Sequence, residues 1–231
     1  VSGTCFADIG NQVFCVDKDI NKIKKLNSGI SPIYEPGLDE LIKKNFNAKR
    51  LIFTTDLKKA INASDIIFIC VGTPNKKGTL KVDLSFVYKC VKEILSYTKK
   101  KKIIVTKSTV PVGTGDEIEK IIKNKKKLFS IISNPEFLRE GEAIRDFRYP
   151  DRIVIGSNNK SEFNTMKKLY SPLISKGAKF FTTSRRGAEL IKYAANAFLA
   201  TKITFINELA NLCEKSGIHI DDVAVGIGCD S

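Results

Sequence analysis

The chain is 231 residues long, 42% hydrophobic, with a mean hydropathy of −0.11, which suits a globular protein of one large domain, or one domain plus a piece of another, with a substantial core. No apolar run approaches the roughly 18–20 residues of a membrane span, and Val1-Ser2-Gly3-Thr4-Cys5 shows neither a basic leader nor a small-residue cleavage site, so no signal peptide is expected. The formal net charge of +14 comes mostly from lysine runs at 99–102 and 125–127, which lie between a helical pattern and the next strand with no aromatics interleaved, so they read as solvated helix ends rather than a nucleic-acid surface.

Six cysteines without a CxxC spacing, and a single histidine, His219, argue against a zinc site. Reduced thiols and a cytoplasmic protein are expected. The basic surface would suit an acidic, diphosphate-bearing substrate. A lysine-biased composition without a role accounts for it equally well.

Residues 1–8 read as the remainder of a helix whose preceding strand and glycine loop are expected upstream of residue 1. Short β-rich runs then alternate with helical patterns. The strands are expected at 12–16, 51–54, 65–71, 102–106, 128–133, 152–156 and 179–182. The helices are expected at 20–28, 37–45, 57–63, 84–97, 115–123, 141–147 and 161–174. The continuous apolar run Ile66-Ile67-Phe68-Ile69 predicts a strand buried on both faces, the most buried of the sheet. The alternation predicts an α/β fold: a doubly wound, mainly parallel, Rossmann-like sheet over residues 1–184. After it, residues 185–215 read as one long central helix stopped at Ser216-Gly217, with a short helix opening at Asp221. Residues 185–231 are taken as that helix and the start of a second domain.

Chemistry is sought where strands end. Asp17 follows Phe14-Cys15-Val16 directly, as the acid that binds an adenosine ribose must in a dinucleotide fold, and Lys22 is within reach of the same ribose or a phosphate. Asp17 is equally suited to cap the helix from Ile20. Val71-Gly72-Thr73-Pro74 and Lys107-Ser108-Thr109-Val110-Pro111-Val112-Gly113-Thr114 leave successive strands with small and hydroxyl residues, which admit a dinucleotide or merely turn the chain. In Asn134-Pro135-Glu136-Phe137-Leu138-Arg139-Glu140-Gly141 two carboxylates four residues apart leave a strand end together. Either the segment meets a ligand or Phe137 simply tucks into the core. On the long helix, Lys192 and Asn196 share one face amid Leu190, Ile191, Tyr193, Ala194, Ala195, Phe198 and Leu199. That pair holds oxygen atoms in a pocket, or is a snorkelling lysine beside a surface amide.

These motifs together resemble the UDP-glucose/GDP-mannose dehydrogenase family along the whole chain, from Cys-Phe-Ala-Asp at 5–8 and Val-Asp-Lys-Asp at 16–19, through Glu-Pro-Gly at 35–37, to Pro-Asp-Arg-Ile-Val-Ile-Gly at 150–156 and Glu-Leu-Ile-Lys-Tyr-Ala at 189–194. The octapeptide from Asn134 is the most specific, and the 150–156 motif is similar to the UDP-glucose branch. The resemblance implies NAD as cofactor and a four-electron oxidation of UDP-glucose at C6 to UDP-glucuronate. It implies that Asp17, Lys22, Thr73, Thr109 and Glu140 line the NAD site. It further implies that Glu136, Phe137, Leu138, Arg139 and Glu140 contact the nucleotide-sugar, with Glu136 and a water at Thr109 moving the proton. Lys192 and Asn196 would stabilise the C6 oxyanion, and the long helix would carry a homodimer. The family's nucleophilic cysteine is expected beyond residue 231 and is not Cys229, so this stretch alone should not turn over. The rival readings are a paralogue acting on GDP-mannose or a UDP-N-acetylhexosamine, and a non-catalytic nucleotide-binding module.

Overall fold

The computed structural model describes residues 1–229, so the last two residues of the expected 185–231 segment lie outside it. Helix α1 (Ser2–Asp8) leads into β1 (Val13–Val16), α2 (Ile20–Asn27), α3 (Leu38–Asn47), β2 (Leu51–Thr54) and α4 (Leu57–Ala63). β1 and β2 are parallel, with Val13 opposite Leu51 and Val16 opposite Thr54. Helix α2 starts where it does because Asp19, not Asp17, caps it, accepting the Asn21 and Lys22 amides at 2.8 and 3.2 Å. Asp56 caps α4 in the same way through the Lys59 amide.

The second sheet is built from β3 (Ile66–Ile69), β4 (Lys102–Thr106), β5 (Phe129–Ser133), β6 (Arg152–Gly156) and β7 (Lys179–Thr183), in that order. Between them run α5 (Ser85–Tyr97), α6 (Thr114–Ile121), a 3-10 turn (Lys123–Leu128), α7 (Ala143–Arg148), α8 (Lys160–Leu169) and α9 (Ser171–Ile174). β3, β4 and β5 are parallel; β6 meets β5 antiparallel at one pair, Ser133 with Gly156; and β7 runs parallel to β6, with Gly156 opposite Thr183. The expectation of a mainly parallel α/β fold with a long terminal helix is met.

Because side chains alternate across a sheet, Ile104 and Ile131 join a core with Val87, Val91, Ile94 and Ile118 under α5 and α6, while Val105 and Ile132 join the opposite core with Phe6, Phe147, Ile155 and Met166. Each of these buried aliphatics contributes roughly 1.5–3 kcal/mol. Phe6 of α1 centres the second core, with ring centroids 5.0 Å from Phe68, 5.0 Å from Phe147 and 5.4 Å from Tyr170.

Three expectations need correction. β3 is not the most buried strand: only Ile69 is fully buried and Ile66, Ile67 and Phe68 are half-buried, because β3 has a single strand neighbour among the described residues. The helix expected over 161–174 breaks into α8 and α9, since Pro172 has no amide hydrogen to continue α8. Not all of the lysines at 99–102 are solvated: Lys102 is buried and its ammonium donates to the Ser64 carbonyl.

After β7 comes α10 (Arg185–Ser216), then α11 (Ile220–Gly228). The chain forms two units, residues 1–190 and 191–231. The start of α10 belongs to the first and lies so close to β6 that a side chain at Gly156 would place its Cβ 2.6 Å from the Ala188 Cβ. In the second unit the α10 side chains Phe198, Leu199, Ile203, Phe205 and Leu212 are exposed. Among the described residues, no helix is long and apolar enough to cross a membrane.

Candidate functional site

Since β3, β4 and β5 are parallel neighbours, the segments that follow them leave from one edge of the sheet, the edge where ligands of such folds bind. Two of these segments are bonded together: the Thr73 hydroxyl donates to the Thr109 carbonyl at 2.9 Å. Ser108 adds a second tie, its hydroxyl donating to the Val71 carbonyl at 2.7 Å. Both threonines are half-buried at the edge.

The third segment starts at Asn134, which is buried and fixed at both ends of its amide. Its Nδ2 donates to the Val154 carbonyl at 3.0 Å, and its Oδ1 accepts from the Tyr170 hydroxyl. Burial pushes the Tyr170 hydroxyl well above its ordinary range, so it stays a donor. Two residues on, Glu136 accepts from the Ser2 hydroxyl at 3.2 Å and faces the Lys107 ammonium at 3.8 Å. Phe137 is half-buried, with the Arg152 guanidinium 4.3 Å from its ring centre, and Leu138 packs against the core around Phe6. Arg139 is turned away into a fork with Asp146, at 2.6 and 3.0 Å, which holds the Asp146 carboxyl below its usual range. Glu140 is exposed.

Asp17 lies beyond β1, and since Asp19 caps α2 it is not the helix cap. It pairs with Lys22 at 2.7 Å and accepts the Asp19 amide at 3.0 Å. Partial burial acts to raise its pKa, but these bonds outweigh it and the carboxyl sits low. Lys192 and Asn196 are in the second unit, one turn apart on α10, half-buried and exposed respectively.

Sequence reasoning missed Lys107 as a charged member of the site and missed Glu189. A lysine directly after an otherwise apolar strand run was the available signal for Lys107. Glu189, buried on α10, accepts the Gly113 and Gly115 amides at 2.7 and 2.8 Å and so fixes the turn after Thr109 to the base of that helix. Burial raises its carboxyl pKa, and the two amide bonds offset only part of that. Among the described residues no group of His, Cys, Asp or Glu is arranged to hold a metal ion.

Comparison with known proteins gives these features a context. Residues 1–174 match the NAD binding domain, and residues 186–231 the central domain, of the UDP-glucose/GDP-mannose dehydrogenase family. The chain is 54% identical over its whole length to a UDP-glucose 6-dehydrogenase of Rhizobium meliloti, and covers 54% of that protein. It is 50% identical, again over its whole length, to UDP-glucose 6-dehydrogenase TuaD of Bacillus subtilis, and covers 50% of it. The chain therefore spans about half the length of the curated relatives it matches. Among solved structures it resembles a GDP-mannose dehydrogenase of Pseudomonas aeruginosa (TM-score 0.93, 35% identity, 99% of this chain and 54% of the other). It also resembles a UDP-glucose dehydrogenase of Pyrobaculum islandicum (TM-score 0.92, 34% identity, 99% and 54%).

Proposed function

The chain belongs to the UDP-glucose/GDP-mannose dehydrogenase family, and from that premise we propose that its protein oxidises UDP-glucose at C6 to UDP-glucuronate with NAD. The observation that carries the choice of sugar is 54% identity, over the entire chain, to a protein named UDP-glucose 6-dehydrogenase. The likeness to a GDP-mannose dehydrogenase is at 35% identity and supports the shared fold more than its sugar.

The residues present fit a dinucleotide. Asp19 relieves Asp17 of helix capping, and among the described residues no atom beyond its chain neighbours lies within 4 Å of where a side chain on Gly72 would begin, so the edge admits a ligand against the backbone. In this reading residues 1–184 are the NAD-binding domain and residues 185–231 open the domain that dimerises. Asp17 and Lys22 hold the adenosine ribose, and Thr73, Thr109 and Glu140 line the rest of the NAD site. The chemistry supplied by bound NAD is acceptance of a hydride, once in each of two oxidations.

Glu136, Phe137, Leu138, Arg139 and Glu140 form the wall that meets the nucleotide-sugar. Glu136 takes up the C6 hydroxyl proton through a water at Thr109, with Lys107 balancing its charge. Lys192 and Asn196 stabilise the oxygen anion that develops at C6. The second oxidation needs a thiolate, and the covered cysteines of the first unit are poor candidates. Burial pushes the thiols of Cys5, Cys15 and Cys90 up to about 11. Cys213 is buried and Cys229 ends α11. We assign that step to a cysteine outside this chain, and the protein to the cytoplasm as a homodimer through α10.

The test is stoichiometric. Full-length protein with UDP-glucose should yield two NADH per UDP-glucuronate, and residues 1–231 alone should yield none. A higher kcat/KM for GDP-mannose or UDP-N-acetylmannosamine would overturn the choice of sugar.

A further inference from the structure

The Glu-Pro-Gly motif at 35–37 has so far no part in the site. Glu35 lies between α2 and α3 directly after two side chains that face solvent: Ile33 is 54% exposed and Tyr34 89% exposed, yet Glu35 is only 8% exposed. A carboxylate taken out of water is costly unless its oxygens are bonded. Glu35 stands shortly before α3 but its side chain does not cap it; α3 begins at Leu38, with Gly37 in the capping position. Its two oxygens instead reach a segment more than a hundred residues away. Oε2 accepts the Gly141 amide at 2.9 Å and Oε1 accepts the Ile144 amide at 3.3 Å.

Those amides end the octapeptide and open α7. Gly141 has φ of +82°, a conformation that side chains rarely adopt, so the chain turns sharply there. The octapeptide is tied down at Asn134 by β6 and Tyr170, and at Arg139 by Asp146, both from its own half of the fold. Two ties come from the β1–β2 half, which carries Asp17: the Ser2 hydroxyl of α1 on Glu136, and Glu35, whose buried carboxylate holds the far end of the segment at Gly141 and Ile144. The geometry points to Glu35 as a positioning residue: its carboxylate sets where the Glu140 end of this segment stands relative to Asp17, and so registers the nucleotide-sugar wall against the ribose end of the NAD site. The proposal rests on the functional reading above. Glu35 touches neither substrate and acts only through Gly141 and Ile144.

The test uses full-length protein and Glu35→Gln. The amide side chain keeps one acceptor but presents an N–H group to the other backbone amide, so one bond is replaced by a clash of donors. The shift falls on the Glu140 end of the wall, next to Gly141, while Asn134 keeps the Glu136 end in place. KM should rise about tenfold for both UDP-glucose and NAD, with kcat at saturation within threefold of the parent. A purely structural role would lower the active fraction, hence apparent kcat, and leave both KM values unchanged. Hydrogen exchange at Gly141 and Ile144 should quicken at least tenfold while the β4 and β5 amides stay protected. Gly141→Ala disturbs the same hold from the other side and should raise the same two constants. KM values within twofold of the parent in both variants, with the parent active, overturn the role of Glu35 alone. A parent that forms no NADH from UDP-glucose overturns the functional reading and this proposal with it.

Discussion

The ammonium of Lys107, 6% exposed, lies 3.8 Å from the carboxylate of Glu136, whose side chain is 34% exposed. A cation buried at the end of β4 thus faces an anion that still reaches water. The asymmetry decides what loss of the pair would do. Lys107→Met removes the buried charge and keeps the packing, and the solvated Glu136 can tolerate its absence, so stability should change by only about 1 kcal/mol. In full-length protein, kcat should nevertheless fall at least tenfold, because Glu136 loses the group that holds it. Urea unfolding and initial NADH rates check the two halves; an unaltered rate would detach Lys107 from the chemistry.

Arg185 is buried between Asp116 and Glu119, and its partners make the base of α10 sensitive to acid. Hydrogen bonds from Arg185 and Arg186 hold the Asp116 carboxyl low, and those from Lys126 and Arg185 do the same for Glu119. Carboxyls depressed by folding stabilise the fold above their unfolded range, about 4, and that contribution is lost as pH falls through the folded values. Glu189 has the opposite sign: its folded pKa is raised, so its ionisation works against folding as pH climbs through that value. Arg185→Gln should therefore be clearly less stable than the parent at pH 7, and the difference should shrink steadily as pH falls below about 4. A destabilisation of the same size throughout would mean that packing, not charge, is the cause.

Lys192 separates an enzyme from a binding module. If it faces the developing oxyanion, Lys192→Ala in full-length protein should lower kcat by on the order of a hundredfold, in keeping with about 2.7–4 kcal/mol per donor, with a much smaller effect on UDP-glucose affinity. Single-turnover NADH formation beside calorimetric binding measures both. Binding lost with the saturated rate intact makes it a ground-state anchor.

The exposed apolar residues of α10 should be an interface. Phe198 is 64% exposed, Phe205 55% and Leu212 59%, which is more apolar surface than one helix leaves to water without reason. Phe205→Asp should shift the full-length protein from dimer toward monomer in sedimentation. A parent that is monomeric at every concentration refutes the interface.

Strand and helix positions were legible because they rest on short-range pattern. β2, β4 and β6 fall where their β-branched runs lie, and α10 starts at Arg185 as expected. What was not legible depends on partners distant in sequence. Ile66 to Ile69 read as the most buried strand, but how buried a strand is depends on its neighbours, and β3 pairs only with β4 among the described residues. Glu35, 106 residues from Gly141, carried no local sign of its bonds. The capping of α2 was different: Asp19 stands directly before Ile20, the right place for a cap, and Asp17 drew attention only because it follows the strand. Thr73 and Thr109 were each weak as turns, and it took the sheet order to bring them into contact.

The register of the last strands has a consequence for insertions and deletions. Ser133, Gly156 and Thr183, the final residues of β5, β6 and β7, are paired across the sheet, and α10 begins two residues beyond the third. Losing or gaining one residue within β6 would turn Ile153 and Ile155 out of the core, since strand side chains alternate. It would also bring a larger residue to the place of Gly156, where a Cβ would meet Ala188 at 2.6 Å and the Ser184 carbonyl at 2.7 Å. The number of residues between Pro150 and Ser157 is therefore held fixed by the line of strand ends.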